Sequence, residues 1–429
     1  MTATDAHQAA RQAIDAVWRI ESPRVIAGLA RIVRDIGVAE ELAQDALVAA
    51  LEQWPSKGVP RNPGAWLMAT AKHRAIDHLR RSKMADRKHE ELAREIEAER
   101  KPDFESKLDD EIGDDLLRLV FAACHPVLSR EARVALTLRL LGGLTTEEIA
   151  RAFLTPEATL AQRIVRAKRT LAEKRVPFEI PKGAELVARL SSVLEVIYLI
   201  FNEGYTATAG GDWMRPALCE DALRLGRILA ELEPNEPEVH GLAALMEIQA
   251  SRSGARVGPS GEPILLLDQN RARWDPLLIR HGLAALERAE KLRGRGYYVL
   301  QAAIAACHAR ALTAEATEWP RIVGLYTELH ALAPSPVVAL NRAVAIAMAF
   351  GPAAGLEEVD RLTPEPLLQK YHLLPSVRGD LLSKLGRFEE ARVEFERAAS
   401  LSQNAREQEL LLRRARACGS ATSPEPGRA

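Results

Sequence analysis

The sequence predicts an all-α protein, and three observations carry that expectation. Alanine, leucine, glutamate and arginine dominate, while aromatic residues make up only 5% of the 429 positions. Such a composition favours helix almost everywhere. Apolar residues recur at three- and four-residue spacing through much of the chain, which is the period of a helix with one buried face. Pro234 and Pro334 each close an amphipathic helix and precede another. The interval between them is about three periods of a roughly 34-residue helix-pair repeat.

Length and charge bound the possibilities further. At about 150 residues per domain the chain holds roughly three domains, each large enough for its own core. A hydrophobic content of 47% excludes a wholly disordered chain. No apolar run approaches the roughly 18 residues of a membrane span, and Met1–Ala10 has no signal-peptide core. Cys124, Cys219, Cys307 and Cys418 are far apart with no CxxC pair. That pattern fits a reducing cytoplasm and argues against a disulfide or zinc framework. Lys+Arg total 58 against 59 Asp+Glu, so the placement of charge matters more than its sum. One basic stretch holds Lys72, Arg74, Arg80, Arg81, Lys83, Arg87 and Lys88; another holds Arg163, Arg166, Lys168, Arg169, Lys174 and Arg175. Between them lies an acidic segment with Glu90, Glu91, Glu95, Glu97, Glu99, Asp103, Glu105 and Asp109–Glu111.

Residues 12–55 read as two or three amphipathic helices. Val25, Ile26, Leu29, Ile32, Val33 and Ile36 share one face, and Gly37 is expected to end that helix. A second begins near Ala39 with Leu42, Ala46, Leu47, Ala50 and Leu51 inward; Glu40, Glu41, Gln44 and Asp45 form its polar face. Pro55, Gly58, Pro60 and Pro63-Gly64 mark a turn-rich loop. Ala65–Arg81 then reads as one helix, with Trp66, Leu67, Ala71, Ile76 and Leu79 inward and basic residues outward. Trp66 is expected to pack into a core. Residues 86–112 carry no sustained apolar stripe and read as a linker.

The stretch GLTTEEIARAFLTPEATLAQRIVRAKRTL is the most informative. Thr145 or Thr146 can cap a helix that has Glu147 or Glu148 in its first turn. Ile149, Ala150 and Phe153 follow, and Leu154, Thr155 and Pro156 break the pattern. A second helix starts at Pro156-Glu157, where proline is tolerated. It points Leu160, Ile164, Ala167 and Leu171 inward. Two helices joined by a tight turn, the second basic, make a helix-turn-helix. Thr159, Gln162, Arg163 and Arg166 would face DNA, Arg being able to grip guanine bidentately; Lys168 and Arg169 would meet phosphates. Cys124-His125 lacks a second ligand pair and reads as a buried thiol beside a capping imidazole.

Pro177 and Pro181 mark the next boundary. Residues 185–415 read as a degenerate helical-repeat array. Its clearest unit places Gly379, Leu382, Gly386, Phe388, Ala391, Phe395 and Ala398 at alternating small and large positions. Ser251–Pro263 is a Gly-rich interruption. Residues 202–205 and 268–275 are polar-aromatic clusters that either bind a ligand or fix the helix array.

The segments AEELAQDALVAALEQW and NPGAWLMATAKHRAIDHLRR resemble region 2 of extracytoplasmic-function (ECF) sigma factors. The segment from Leu117 to Leu171, LRLVFAACHPVLSREARVALTLRLLGGLTTEEIARAFLTPEATLAQRIVRAKRTL, resembles their region 4. LIFNEGYTATAGG, DQNRARWD and LNRAVAIA resemble the subgroup with a long tetratricopeptide (TPR)-like C-terminal extension. The resemblance implies sigma region 2 at 12–85, an acidic linker at 86–112, region 4 at 113–176, the TPR-like extension at 185–415 and a flexible tail at 416–429. It implies that Glu40, Glu41, Gln44 and Asp45 face the β′ clamp helices of core RNA polymerase. Lys72, His73, Arg74, Arg80 and Arg81 would face the minus-ten element of promoter DNA, and the alternative to core packing for Trp66 is a role at the DNA-melting junction. Region 4 would read the minus-thirty-five element and meet the β flap, and the linker would enter the polymerase toward the RNA path. The extension would regulate or scaffold, in place of a membrane anti-sigma factor, through a protein or small-ligand partner. The expectation is a cytoplasmic transcription-initiation subunit, neither an enzyme nor cofactor-dependent. A plain repeat adaptor would leave both basic modules unexplained. A ligand-sensing operator-binding regulator would leave the 39–81 module and the linker unexplained.

Overall fold

In the computed structural model, residues 3–85, 115–153, 155–207, 213–259 and 261–422 are described. Their regular structure is helical, with one isolated antiparallel bridge between Val257 and Pro263. The all-α expectation therefore holds. The chain groups into two units, Met1–Leu199 and Ile200–Ala429.

The first unit opens with α1 (Ala3–Val33), α2 (Ile36–Lys57) and α3 (Pro63–Ala85), which pack on one another. Its core comes from Val25, Ile26, Leu29, Leu42, Ala46, Ala50, Trp54, Leu67 and Ala71. The α1–α2 corner differs from the sequence expectation. Arg34, not Gly37, takes the left-handed turn at φ 55°. Asp35 then caps α2 by accepting from the Val38 amide at 3.0 Å. Gly37 falls in the first turn of α2, where a Cβ would stand 3.1 Å from the capping Asp35 Oδ1. The glycine makes room for the cap rather than ending a helix. Trp66 is half-buried and meets the fully buried Trp54 edge to face at 5.3 Å. Trp54 is thus the deeper of the two rings.

The expected linker, 86–112, lies outside the described residues. The chain is described again from Asp115, within a helix over 115–123 (α4). Leu116, Leu117, Leu119, Val120, Phe121, Ala122 and Ala123 are all buried, and the buried Asp115 pairs with Arg31 and with Arg118 of the same helix. Around it come α5 (Arg130–Leu140), α6 (Thr146–Ala152), α7 (Glu157–Glu173) and the start of α8 (Ala184–Tyr205). Arg189 and Ser192 of α8 donate to the carbonyls of Phe121 and Cys124, at 3.3 and 2.7 Å. Arg130 and Arg133 of α5 pair with Glu195. The first unit therefore continues through Leu199, beyond the Pro177–Pro181 segment.

The second unit holds α9 (Pro216–Leu232), α10 (Pro237–Ala250), α11 (Pro276–Lys291), α12 (Tyr297–Arg310), α13 (Trp319–Leu332) and α14 (Pro336–Phe350). It continues with α15 (Pro352–Leu362), α16 (Leu373–Lys384), α17 (Phe388–Leu401) and α18 (Ala405–Thr422). Successive helices pack in sequence, α13 on α14, α14 on α15, α16 on α17 and α17 on α18. Short connections make such neighbours antiparallel. The small-and-large reading of the last repeat is visible in the packing. A Cβ on Gly379 would stand 3.0 Å from the Phe395 ring, and Leu382, Ala391, Phe395 and Ala398 are all buried. Gly386 turns the α16–α17 corner at φ +75°. The expected flexible tail gives way over 416–422, where α18 continues to Thr422. Leu411, Ala415 and Cys418 form one stripe in the core that includes Phe395, and burial of Cys418 extends the helix past Ala415. Residues 423–429 lie outside the described residues.

Candidate nucleic-acid interface

The geometry of α7 sorts its residues into two faces. Leu160, Ile164, Ala167 and Leu171 are buried, as their spacing of three or four residues requires. Thr159, Gln162 and Arg166 are exposed and Arg163 is half-buried. These four stand at i, i+3, i+4 and i+7, so they share one solvent face. The preceding α6 is fixed by a reciprocal cap. Glu148 N donates to Thr145 Oγ1 at 3.1 Å, and Thr145 N donates to Glu148 Oε2 at 2.8 Å. Burial works against ionisation of Glu148, but the hydrogen bonds from Thr145 and the charge of Arg19 leave its carboxyl below the usual range. The cap is therefore present at neutral pH and weakens on acidification through the carboxylate range.

Lys168 and Arg169 do not stand alike. Arg169 is exposed and donates to Glu173 Oε1 at 2.6 Å. Lys168 turns from the Arg163 face toward α2, where its ammonium pairs with Glu40. Arg139 of α5 donates to the other oxygen of the same carboxylate at 2.7 Å. Glu40 is only 3% exposed. Of the polar residues expected on the outer face of α2, Glu40 is thus turned into the contact between α2 and α7, and Gln44 Nε2 donates to it at 2.8 Å. Glu41 and Asp45 are exposed, with Val48 next on the same face. Arg139 did not stand out in the sequence. Its local signal is one basic residue within the largely apolar run 134–140, and its partner lies 99 positions away.

On α3, His73, Arg80 and Arg81 are exposed, and Lys72 and Arg74 are half-buried. Arg74 lies 3.3 Å from Asp45, which joins the basic face of α3 to the acidic face of α2. Arg81 Nε donates to the Asp77 carbonyl at 3.3 Å. The basic residues at 72–74 and 80–81 thus lie one helix away from Glu41 and Asp45.

Cys124 behaves as a buried structural thiol. It is 1% exposed with Thr137 Oγ1 at 3.3 Å, and burial pushes it up to about 11. His125 Nδ1 accepts from the Val127 amide at 3.1 Å. Cys219 is pushed up to about 12, again by burial. All four thiols are buried. They are expected to resist Ellman's reagent at pH 8 in the native protein and to react together only on unfolding; rapid native labelling of Cys124 would contradict this.

Comparison with known families resolves what these faces belong to. Residues 18–84 match Sigma-70 region 2, and residues 118–171 match Sigma-70, region 4. The chain is 25% identical over 177 residues to a "Probable ECF RNA polymerase sigma factor SigI" of Mycobacterium tuberculosis, covering 41% of this chain and 60% of that protein. Together the two sigma regions and this relative support a sigma factor of the extracytoplasmic-function type. The chain carries in addition a long C-terminal extension, of which residues 189–290 match a family of unknown function, DUF6596. The same architecture spans a relative of Rhizobium meliloti (strain 1021), "Uncharacterized protein R00370", 43% identical over 391 residues, 90% of this chain and 91% of that protein. No solved structure matches the chain. A sigma factor binds core RNA polymerase and promoter DNA, and the sigma families are not enzyme families. Among the described residues no helix is long and apolar enough to cross a membrane.

Proposed function

We propose that α7 reads the upstream, minus-thirty-five promoter element through Thr159, Gln162, Arg163 and Arg166, with Arg169 on phosphate. The observation that carries this is the division of α7, four polar residues on the solvent face opposite four buried apolar ones. In the same reading Lys72, His73, Arg74, Arg80 and Arg81 on α3 serve the minus-ten element. The exposed Glu41 and Asp45 of α2 dock on the β′ clamp helices, region 4 meets the β flap, and the acidic linker follows the RNA path. Glu40 and Lys168 take up those roles only after their mutual ion pair opens. The protein works in the cytoplasm beside polymerase. Its extension, 185–415, is a TPR-like regulatory array, covalently joined to region 4 and so present at high effective concentration, on which a protein or small ligand acts.

Run-off transcription with core polymerase tests the reading. Replacing Arg163 or Arg166 by Ala is expected to cost about 1–3 kcal/mol where the side chain grips a base bidentately. The loss should depend on upstream sequence; a loss uniform across scrambled upstream sequences would reassign both to phosphate. Charge reversal of Glu41 and Asp45 should weaken capture of core polymerase and leave the melting temperature nearly unchanged, because both side chains are exposed. Undiminished pull-down of core would remove the clamp assignment.

A further inference from the structure

In the second unit the loop after α10 gathers three arginines with aromatic rings and leaves one of them unpartnered. Arg256 is 6% exposed, and its guanidinium lies 3.5 Å from the centre of the Tyr205 ring. It donates to the Tyr205 carbonyl and, at 2.9 Å, to Thr206 Oγ1. Arg271 lies 4.9 Å from the Trp274 ring. It donates to the carbonyls of His308 and Ala311, both at 2.6 Å, and to Thr317 Oγ1 at 3.1 Å. Both arginines therefore tie loops together. Arg252 does not. It sits between the other two, 5.8 Å from the Tyr205 ring and 5.9 Å from that of Trp274, and among the described residues its buried Nε has no hydrogen-bond partner.

The surroundings suit an anion. Among the described residues the polar partners of Arg256 and Arg271 are carbonyl and hydroxyl oxygens, not carboxylates. Burial, and behind it the charge of Arg252, lowers Arg256 and Arg271, outweighing the opposite pull of Tyr205 on the first and of the exposed Glu315 on the second. Burial, then Arg252 and Arg271, pushes the His308 imidazole down to about 4. It is neutral at pH 7 and adds no charge of its own. Among the described residues the buried nitrogens Arg252 Nε, Trp213 Nε1 and Trp274 Nε1 have no hydrogen-bond partner. All three are donor-only groups. Buried donors without acceptors are costly, as are like charges in a partly desolvated cluster. Neighbouring rings offset part of this through cation–π attraction, but they accept none of the free N–H groups in a conventional hydrogen bond. A phosphate or carboxylate group does both, since it is acceptor-only and matches the planar guanidinium fork.

We propose that Arg252, backed by Arg256 and Arg271 and walled by Tyr205 and Trp274, is a binding site for the oxyanion group of a small molecule. A small ligand fits better than an acidic peptide, because one half-buried guanidinium is free rather than a row of exposed cations. The proposal goes beyond promoter recognition and is independent of it, because binding is measured on the protein alone.

The test is thermal unfolding of the full chain in inorganic phosphate, in citrate, and in sodium chloride at matched ionic strength. At about a hundred times the dissociation constant, an oxyanion should raise the melting temperature by roughly 5–10 °C over the chloride control. Phosphate against citrate separates a phosphate-bearing from a carboxylate-bearing ligand. Arg252→Met, which keeps the aliphatic stem, should abolish the shift and melt no lower than the parent protein without oxyanion, because it removes an unpaired like charge. Arg252→Lys should retain only a small part of the shift. An equal shift in Arg252→Met, or no shift of the parent protein in either oxyanion, overturns the site. So does an Arg252→Met protein that melts several degrees lower while still responding to the oxyanion, which would make Arg252 a purely structural residue.

Discussion

A chain cut after Pro181 is expected to lose promoter-specific initiation because its region 4 no longer folds. The cut removes the start of α8, which belongs to the same unit as α4 to α7. The Phe121 and Cys124 carbonyls lose their donors Arg189 and Ser192, which are 6% and 9% exposed in the intact chain. Arg133 loses both Ser192 and Glu195. Leu190 and Val193, buried on the same segment, are deleted as well. Each such apolar side chain contributes about 1.5–3 kcal/mol by burial, and each hydrogen bond about 0.5–1.5 kcal/mol net. Their sum is a large share of the roughly 5–15 kcal/mol that stabilises a domain. A chain cut after Leu199 keeps these partners and separates folding from regulation. We expect 1–199 to melt cooperatively and 1–181 to show lowered helicity with loss of the region 4 transition by circular dichroism. A cooperative, equally stable 1–181 would refute the structural role of α8. Initiation by 1–199 against the full chain then reports the regulatory effect of the extension alone.

What the sequence discloses and what it withholds follow the range of the interactions. The buried set of α7, Leu160, Ile164, Ala167 and Leu171, is legible because a helix writes its inner face at a local period. The Thr145–Glu148 cap is legible for the same reason, both partners lying within one turn. The corner at Arg34 is not legible: a glycine is the usual left-handed residue, and Gly37 draws attention from Asp35, whose cap on Val38 is the actual start of α2. The tail at 416–422 looks like a frayed end until Leu411, Ala415 and Cys418 are seen to face the Phe395 core. Glu40 is the clearest case of a long-range partner deciding a residue's place. Its own helix gives it a polar neighbourhood, and only Arg139 and Lys168, brought from two other helices, make its burial tolerable.

Neutralising that carboxylate, by Glu40→Gln, should open the contact between region 2 and region 4. Glu40 on α2 is shared by Arg139 on α5 and Lys168 on α7, so one buried charge joins three helices. Removing one partner of a buried ionic set costs about 3–5 kcal/mol, because the remaining charges are left uncompensated. Arg139 and Lys168 keep side-chain exposures of 22% and 21%, so water relieves part of this and the lower end of the range applies. The contact between α2 and α7 is small compared with those inside the α1–α2–α3 bundle. The two modules should therefore separate before either unfolds. Separation releases Lys168 to DNA phosphate, and each added phosphate contact steepens the dependence of log affinity on log salt by about 0.9. Binding of upstream promoter DNA by the Glu40→Gln protein should accordingly show a salt slope about one unit steeper than the parent protein, with tighter binding at low salt. Spin labels at Val48 and Val165, which are 50% and 62% exposed on α2 and α7, should give a longer and broader distance distribution. Lys168→Met should reproduce the lengthened distance without the steeper slope, since it breaks the same ion pair but supplies no phosphate contact. An unchanged distance and slope in Glu40→Gln would show that the other contacts, among them the Arg19–Glu148 and Arg31–Asp115 ion pairs, hold the two modules together. The opening step would then have to come from polymerase itself.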